Sequence, residues 1–154
     1  MNAPKLVYVT LIRTTPAKLW QALTDPEFIR QYWFGHSLTS TWKEGEVIES
    51  RSPQGELDWQ GRILKSIPEQ EVVFTTDHRT EEPPSKVSFK IERLGTGTFP
   101  QGDAVQLTVI HEDFPEVSKI REGVSLGWPA ILSSLKSLLE TGKSLELGWR
   151  SDAA

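Results

Sequence analysis

The sequence contains no cysteine. That absence removes disulfides, thiolate metal sites and thiol nucleophiles together, and with them the stapled frameworks of small secreted domains. A basic excess is missing too. Lys and Arg number 17 against 21 Asp and Glu, a net charge of -4, and no basic cluster supplies the footprint that nucleic acid or anionic lipid requires. No apolar run approaches the length of a membrane span. Met1 to Lys5 leads into an alternating segment without the apolar core of a signal peptide, so a cytoplasmic location is expected. Histidine is scarce. His36, His78 and His111 are the three, and none has a second histidine or a carboxylate at metal-motif spacing, so neither a metal nor another cofactor is expected.

What is present suits one domain with a sizeable core: 154 residues, 37% hydrophobic and 25% charged. No repeat, low-complexity segment or linker divides the chain, and residues 5–142 carry all the periodic pattern, leaving Lys143 to Ala154 as a tail. The longest periodic segment is Ser118 to Gly142. Ile120, Val124, Trp128, Ile131, Leu135, Leu138 and Leu139 recur at steps of three and four, one stripe of a helix whose other arcs are polar. Gly142 is placed to cap it, because glycine takes the left-handed conformation without steric cost. Pro129 beside Gly127 and Trp128 predicts a kink or a restart.

Before that helix the pattern is of another kind. Lys5 to Arg13 is rich in β-branched and aromatic residues and predicts a strand. Thr15-Pro16 and Asp25-Pro26 each pair a capping side chain with proline at a first helical position, predicting two short helices. Further strands are expected at about 37–42, 46–51, 56–66, 70–77, 85–94 and 103–112, with a turn at Gly95 to Gly102 among the connections. Alternation is clearest at Leu57, Trp59, Gly61 and Ile63, at Val87, Phe89 and Ile91, and at Val105, Leu107, Val109 and His111. One face of the sheet is then dry and the other wet. The pattern predicts an α+β fold in which a curved seven-stranded antiparallel sheet wraps a long C-terminal helix, with two short helices after the first strand.

The run Pro16 to Glu27, then Tyr32-Trp33, Gly61-Arg62-Ile63 before Ile67-Pro68, His111-Glu112, Gly127-Trp128 and Leu139 to Gly142, taken as an ordered set, resembles the family named for the activator of the Hsp90 ATPase. That family belongs to the helix-grip superfamily of START lipid-transfer domains, Bet v 1 allergens and polyketide cyclases. The resemblance covers about residues 5–142. It implies a cavity between sheet and helix, often for an apolar ligand, and no motif in it is catalytic. An Hsp90-type partner is not carried over, because the chain lacks room for the additional N-terminal domain of the eukaryotic activator.

The cavity candidates are Trp33, Trp59, Phe74, Phe89, Trp128, Ile131 and Leu135, drawn from elements that this fold turns toward one interior. The same side chains also serve a closed core, since interiors tolerate little empty volume. His111 falls on the dry face by strand parity, and its plainer reading is a buried histidine satisfied by a backbone group. Glu49 and Arg51, with His111, are the polar cavity candidates: the two share one strand face with Val47 while Ile48 takes the other, so hydrophobicity does not decide whether the two charges look inward. Three function classes follow: binding of an apolar or aromatic small molecule, a cyclase, aromatase or hydrolase using Glu49, Arg51 or His111, or a protein-interaction module. The sequence leaves a homodimer open.

Overall fold

The computed structural model describes residues 2–94 and 104–147. The elements run β1 (Leu6–Ile12), α1 (Pro16–Thr24), α2 (Pro26–Tyr32), β2 (Ser37–Ser40), β3 (Val47–Arg51), β4 (Leu57–Ile67), β5 (Glu71–Thr76), β6 (Ser85–Arg93), β7 (Val105–Glu112) and α3 (Lys119–Thr141). The strands form one seven-stranded sheet in the order β1-β7-β6-β5-β4-β3-β2. Every pairing is antiparallel, with irregularities between Ser50 and Arg51 and between Ile63 and Lys65 where the curved sheet bends. This is the expected helix-grip architecture. The turn expected at Gly95 to Gly102 and the tail beyond residue 147 lie outside the described residues. No described helix is long and apolar enough to cross a membrane.

Local chemistry sets the helix ends. The Thr15 side chain accepts from the Lys18 amide, and Pro16 opens α1. Asp25 ends α1 by donating its own amide to the Gln21 carbonyl and starts α2 by accepting from the Glu27 amide at 2.8 Å. Helices this short need tertiary support. Part of it is the buried Tyr32 hydroxyl, which donates to the Ala22 carbonyl at 2.9 Å and is held protonated by its burial. Ser118 caps α3, and Glu82 from the β5–β6 connection accepts from the Ser118 hydroxyl and from the amides of Lys119 and Ile120. Burial alone would raise the Glu82 pKa, but these hydrogen bonds outweigh it and lower it. At the other end Gly142, with φ of 83°, donates to the Leu138 carbonyl.

The restart expected at Gly127-Trp128 does not occur: α3 runs unbroken from Lys119 to Thr141 with Pro129 inside it. Proline deprives the carbonyl four residues earlier, Ser125, of its helical donor. The Tyr8 hydroxyl of β1 donates to that carbonyl at 3.3 Å. A sheet side chain thus replaces the missing bond and holds the helix against the edge strand. Arg121 and Lys136 donate to the Pro4 and Leu11 carbonyls, and Glu140 accepts from the Arg13 amide, so α3 also covers the β1 edge.

The inner face carries Leu38, Ile48, Ile63, Val72, Phe74, Val87, Phe89, Leu107 and Val109, all essentially inaccessible, packed with Leu132 and Leu135 of α3. The parity of β3 is settled by its neighbour. Ile48 and Ser50 stand opposite Gly61 and Trp59 of β4 and are buried. Glu49 and Arg51 therefore look outward, where they form an exposed ion pair at 3.2 Å. Their assignment to the cavity is corrected. Two charged side chains stay in water unless a partner inside offsets desolvation, and here solvent is available. Gly61 is obligatory for another reason. A Cβ there would lie 1.7 Å from the Thr75 carbonyl oxygen.

Gly61→Ala is expected to lower stability by about 3 kcal/mol, the upper end of ordinary overpacking, because the atom it meets is backbone; denaturant unfolding measures this. Tyr8→Phe should cost about 1 kcal/mol in wild type and close to nothing in a Pro129→Ala background, where the Ser125 carbonyl regains its helical donor. A double-mutant cycle in urea reads this coupling, and equal costs in both backgrounds would refute the compensation.

Candidate functional site

Side chains at steps of two along a strand share a face. Phe74 and Thr76 of β5 and His78 just beyond it accordingly line one wall of an interior space of about 170 Å³. Val87 of β6 and His111 of β7 stand beside them in register, Trp59 of β4 closes one side, and Trp128 and Ile131 of α3 form the roof. Trp33, the C-cap of α2, also borders the space and is partly exposed. The rings brace one another. Trp59 stacks on Phe74 with centroids 5.7 Å apart and 8° between planes, while Trp33 meets Trp128 edge to face at 5.6 Å.

Two glycines lie in the roof. Gly123 and Gly127 lie four residues apart on α3, both border the space, and a Cβ on either would meet nothing within 4 Å. Gly127 also borders a second space of about 220 Å³, shared with Trp33, Trp59 and Ile131 and reaching the polar side chains His36, Ser50 and Asp58. The two spaces adjoin through those common residues.

The polar part of the first space is a chain of hydrogen bonds. Trp128 Nε1 lies 3.1 Å from His111 Nδ1, His111 Nε2 lies 2.8 Å from Ser85 Oγ, and Ser85 Oγ lies 2.6 Å from Thr76 Oγ1. An indole N–H can only donate. Nδ1 is therefore the acceptor, the imidazole proton sits on Nε2, and His111 donates to Ser85. With 2% of its surface exposed, the ring is neutral: burial, and after it the charge of His78, lowers its pKa to about 3. The partners of His111 are thus side chains of β6 and α3, not the backbone group expected from sequence. His78 itself is half-buried against Trp59. Its burial lowers its pKa, opposed by the charges of Glu82, Asp58 and Asp77.

In the second space His36 Nδ1 approaches Asp58 Oδ2 at 2.8 Å, and the Ser50 hydroxyl donates to the same oxygen at 3.1 Å. The serine is bonded to the carboxylate and not to the imidazole. That arrangement orients His36 but leaves Ser50 without the base a nucleophile needs. Among the described residues no group of three or more His, Asp or Glu could hold a metal.

Of the residues singled out in the sequence, Trp33, Trp59, Phe74, His111, Trp128 and Ile131 are brought together around the first space. Phe89 and Leu135, 1% and 0% exposed, pack behind the wall as core. Glu49 and Arg51 are on the opposite face of the sheet. Sequence reasoning missed Thr76, His78, Ser85, Val87 and the pair His36 and Asp58. Thr76 and His78 had a signal, the step of two from Phe74. His36 and Asp58 had none, because the pairing of β2, β3 and β4 alone brings them together across 22 positions.

The family model described as Activator of Hsp90 ATPase homolog 1-like protein matches residues 13–140. No curated protein sequence matches the chain. Among solved structures, the Aha1 dimer from Colwellia psychrerythraea is similar at a TM-score of 0.73 and 20% identity, covering 92% of this chain and 100% of that one. DynU16, from the dynemicin biosynthetic locus, is similar at 0.71 and 20% identity over 91% of this chain and 48% of that one. An Hsp90 activator from Plasmodium falciparum is similar at 0.63 and 16% identity over 80% and 86%. At these identities the likenesses speak to the fold.

The depressed pKa of His111 has a pH consequence. Between about pH 6.5 and 3 the unfolded chain protonates this histidine and the folded chain does not, so stability rises with pH across that window. The contribution is complete above about 6.5 and is lost as pH falls toward 3. Urea midpoints measured from pH 7 downward should fall less steeply for His111→Asn than for wild type. Parallel slopes would mean that His111 is not held neutral.

Proposed function

The chain belongs to the Activator of Hsp90 ATPase homolog 1-like family, and from that premise we propose that it binds a small apolar or aromatic molecule in the space between sheet and α3. The observation that carries this reading is the cavity of about 170 Å³ walled by Trp59, Phe74, Val87, Trp128 and Ile131. An apolar cavity of roughly 150 Å³ is large enough to take up benzene in another protein, so the first space is on the scale of one aromatic ring. The adjoining second space gives a substituent room. Two glycines on the roofing helix support the reading further. Glycine inside a helix costs about 1 kcal/mol relative to alanine, and no close approach of other atoms requires it at exposed Gly123 or half-buried Gly127; both border the space and neither puts a side chain into it.

The ligand enters past Trp33, which borders both spaces at the end of the short α2. Short helices held by few contacts open more readily than sheet. Catalysis by Glu49, Arg51 and His111 is not part of the proposal, since the first two face outward and the third is buried and neutral. A role with an Hsp90-type ATPase is not carried over either, because the Plasmodium activator is only 16% identical.

Ligand binding to the folded state alone raises the melting temperature by mass action. Toluene or indole should raise it and quench tryptophan fluorescence in wild type, and Ile131→Trp or Gly127→Leu should abolish both responses while the protein stays folded. Gly127→Leu fills the space from a helix position that favours any side chain over glycine. Equal thermal shifts in wild type and both filled variants would place binding elsewhere and refute the cavity.

A further inference from the structure

The hydrogen-bond chain under the cavity has a direction. Trp128 donates to His111, and His111 donates to Ser85. Ser85 Oγ and Thr76 Oγ1 are 2.6 Å apart, so one hydroxyl donates to the other and one proton is left over. If Thr76 donated, the leftover proton would belong to Ser85, which already accepts from His111, does not border the cavity and has no further partner among the described residues. A buried donor without an acceptor costs about 1–3 kcal/mol. If Ser85 donates, the leftover proton belongs to Thr76, which does border the cavity. The second arrangement is the stable one. It ends a relay of donors at the hydroxyl of a residue that borders the apolar space, as does the half-buried His78.

Charge narrows what that hydroxyl meets. Among the described residues bordering either space there is no Lys or Arg, and Asp58 borders the second. A carboxylate brought here would lose its water without gaining a cation, and would face the acidic side chains Asp58, Asp77 and Glu82 that surround His78. We infer that the ligand is a neutral aromatic compound bearing a hydrogen-bond acceptor of the carbonyl kind, its ring between Trp59, Phe74 and Trp128 and its oxygen on the Thr76 hydroxyl. This rests on the cavity reading above and adds the chemical class to it. Trp128 has two roles in the arrangement. Its ring roofs the apolar space, and its N–H fixes the tautomer that sends the last proton of the relay to the ligand.

The test compares three probes of one size: acetophenone, α-methylstyrene, which replaces the carbonyl oxygen by a methylene, and benzoate. Calorimetric titration of the full chain should show acetophenone bound at least as tightly as α-methylstyrene and benzoate bound far more weakly than either. Thr76→Val should weaken acetophenone about tenfold, as expected for a buried acceptor left unpaired, and leave α-methylstyrene within about twofold. Thr76→Ser, which keeps the hydroxyl, should retain the acetophenone affinity. Should the valine variant not fold, the carbonyl stretch of carbon-13 acetophenone bound to wild type decides: it falls below its hexane value if the oxygen accepts a hydrogen bond. Binding of both neutral probes with a hexane-like stretch, or an affinity ratio unmoved by Thr76→Val, overturns the acceptor site while the cavity stands. Benzoate bound as tightly as acetophenone overturns the neutral assignment. Failure of both neutral probes to bind overturns the cavity reading and this inference with it.

Discussion

The hydrogen bond from the Trp128 indole to His111 Nδ1 joins the two layers of the fold in the buried interior. The other polar contacts of α3 with the sheet lie along the β1 edge, and over the inner face α3 meets hydrocarbon, which holds the layers together without fixing a register. The indole fixes it. A donor with a single direction, set against a buried imidazole, locates the helix along its axis and rotates its apolar stripe onto Phe89, whose ring meets Trp128 at 5.9 Å. It also determines the protonation state of the interior. Because Nδ1 must accept, His111 cannot take up a second proton without losing both its neutral environment and this bond.

Packing and emptiness are arranged side by side along α3. Leu132, Leu135 and Leu138 are buried in dense contact, whereas one to two turns earlier Gly123 and Gly127 leave open space beside Val124 and Ile131. The same helix therefore closes one end of the sheet and roofs a cavity at the other. The dense end stabilises the fold enough for the other end to remain incompletely filled, since each void in an interior forfeits dispersion contacts. Tyr8 contributes in between. By donating to the carbonyl that Pro129 leaves free, it lets a proline sit at the middle of the helix, next to Trp128, without breaking it.

The polar groups divide into an inner and an outer set on chemical grounds. Inside, every polar group of the relay is uncharged, so a low-dielectric site costs it little once hydrogen-bonded. Beside the second space, Asp58 and His36 are each about 30% exposed and hold one another. Glu49 and Arg51, full charges with water within reach, went to the wet face.

The strands, the three helices and their caps were legible in sequence because each depends on neighbours within a few residues: Thr15 before Pro16, Asp25 before Pro26, Gly142 after Leu139, alternation at Val105 to His111. The family and the fold followed from that order, and so did most of the aromatic wall. Which way Glu49 and Arg51 point was not legible. Val47 and Ile48 are both apolar, so the parity of β3 is set only by its pairing with Gly61 and Trp59. Nor was the continuity of α3 through Pro129, which depends on a tyrosine 117 positions away. The relay from Trp128 to Thr76 draws on α3, β7, β6 and β5, and the His36–Asp58 pair on the β2–β3–β4 register. Periodicity says which face a side chain takes. Only the register between elements says which polar atoms meet there, because a hydrogen bond is formed or lost within an ångström and no local pattern reaches across the sheet to specify it.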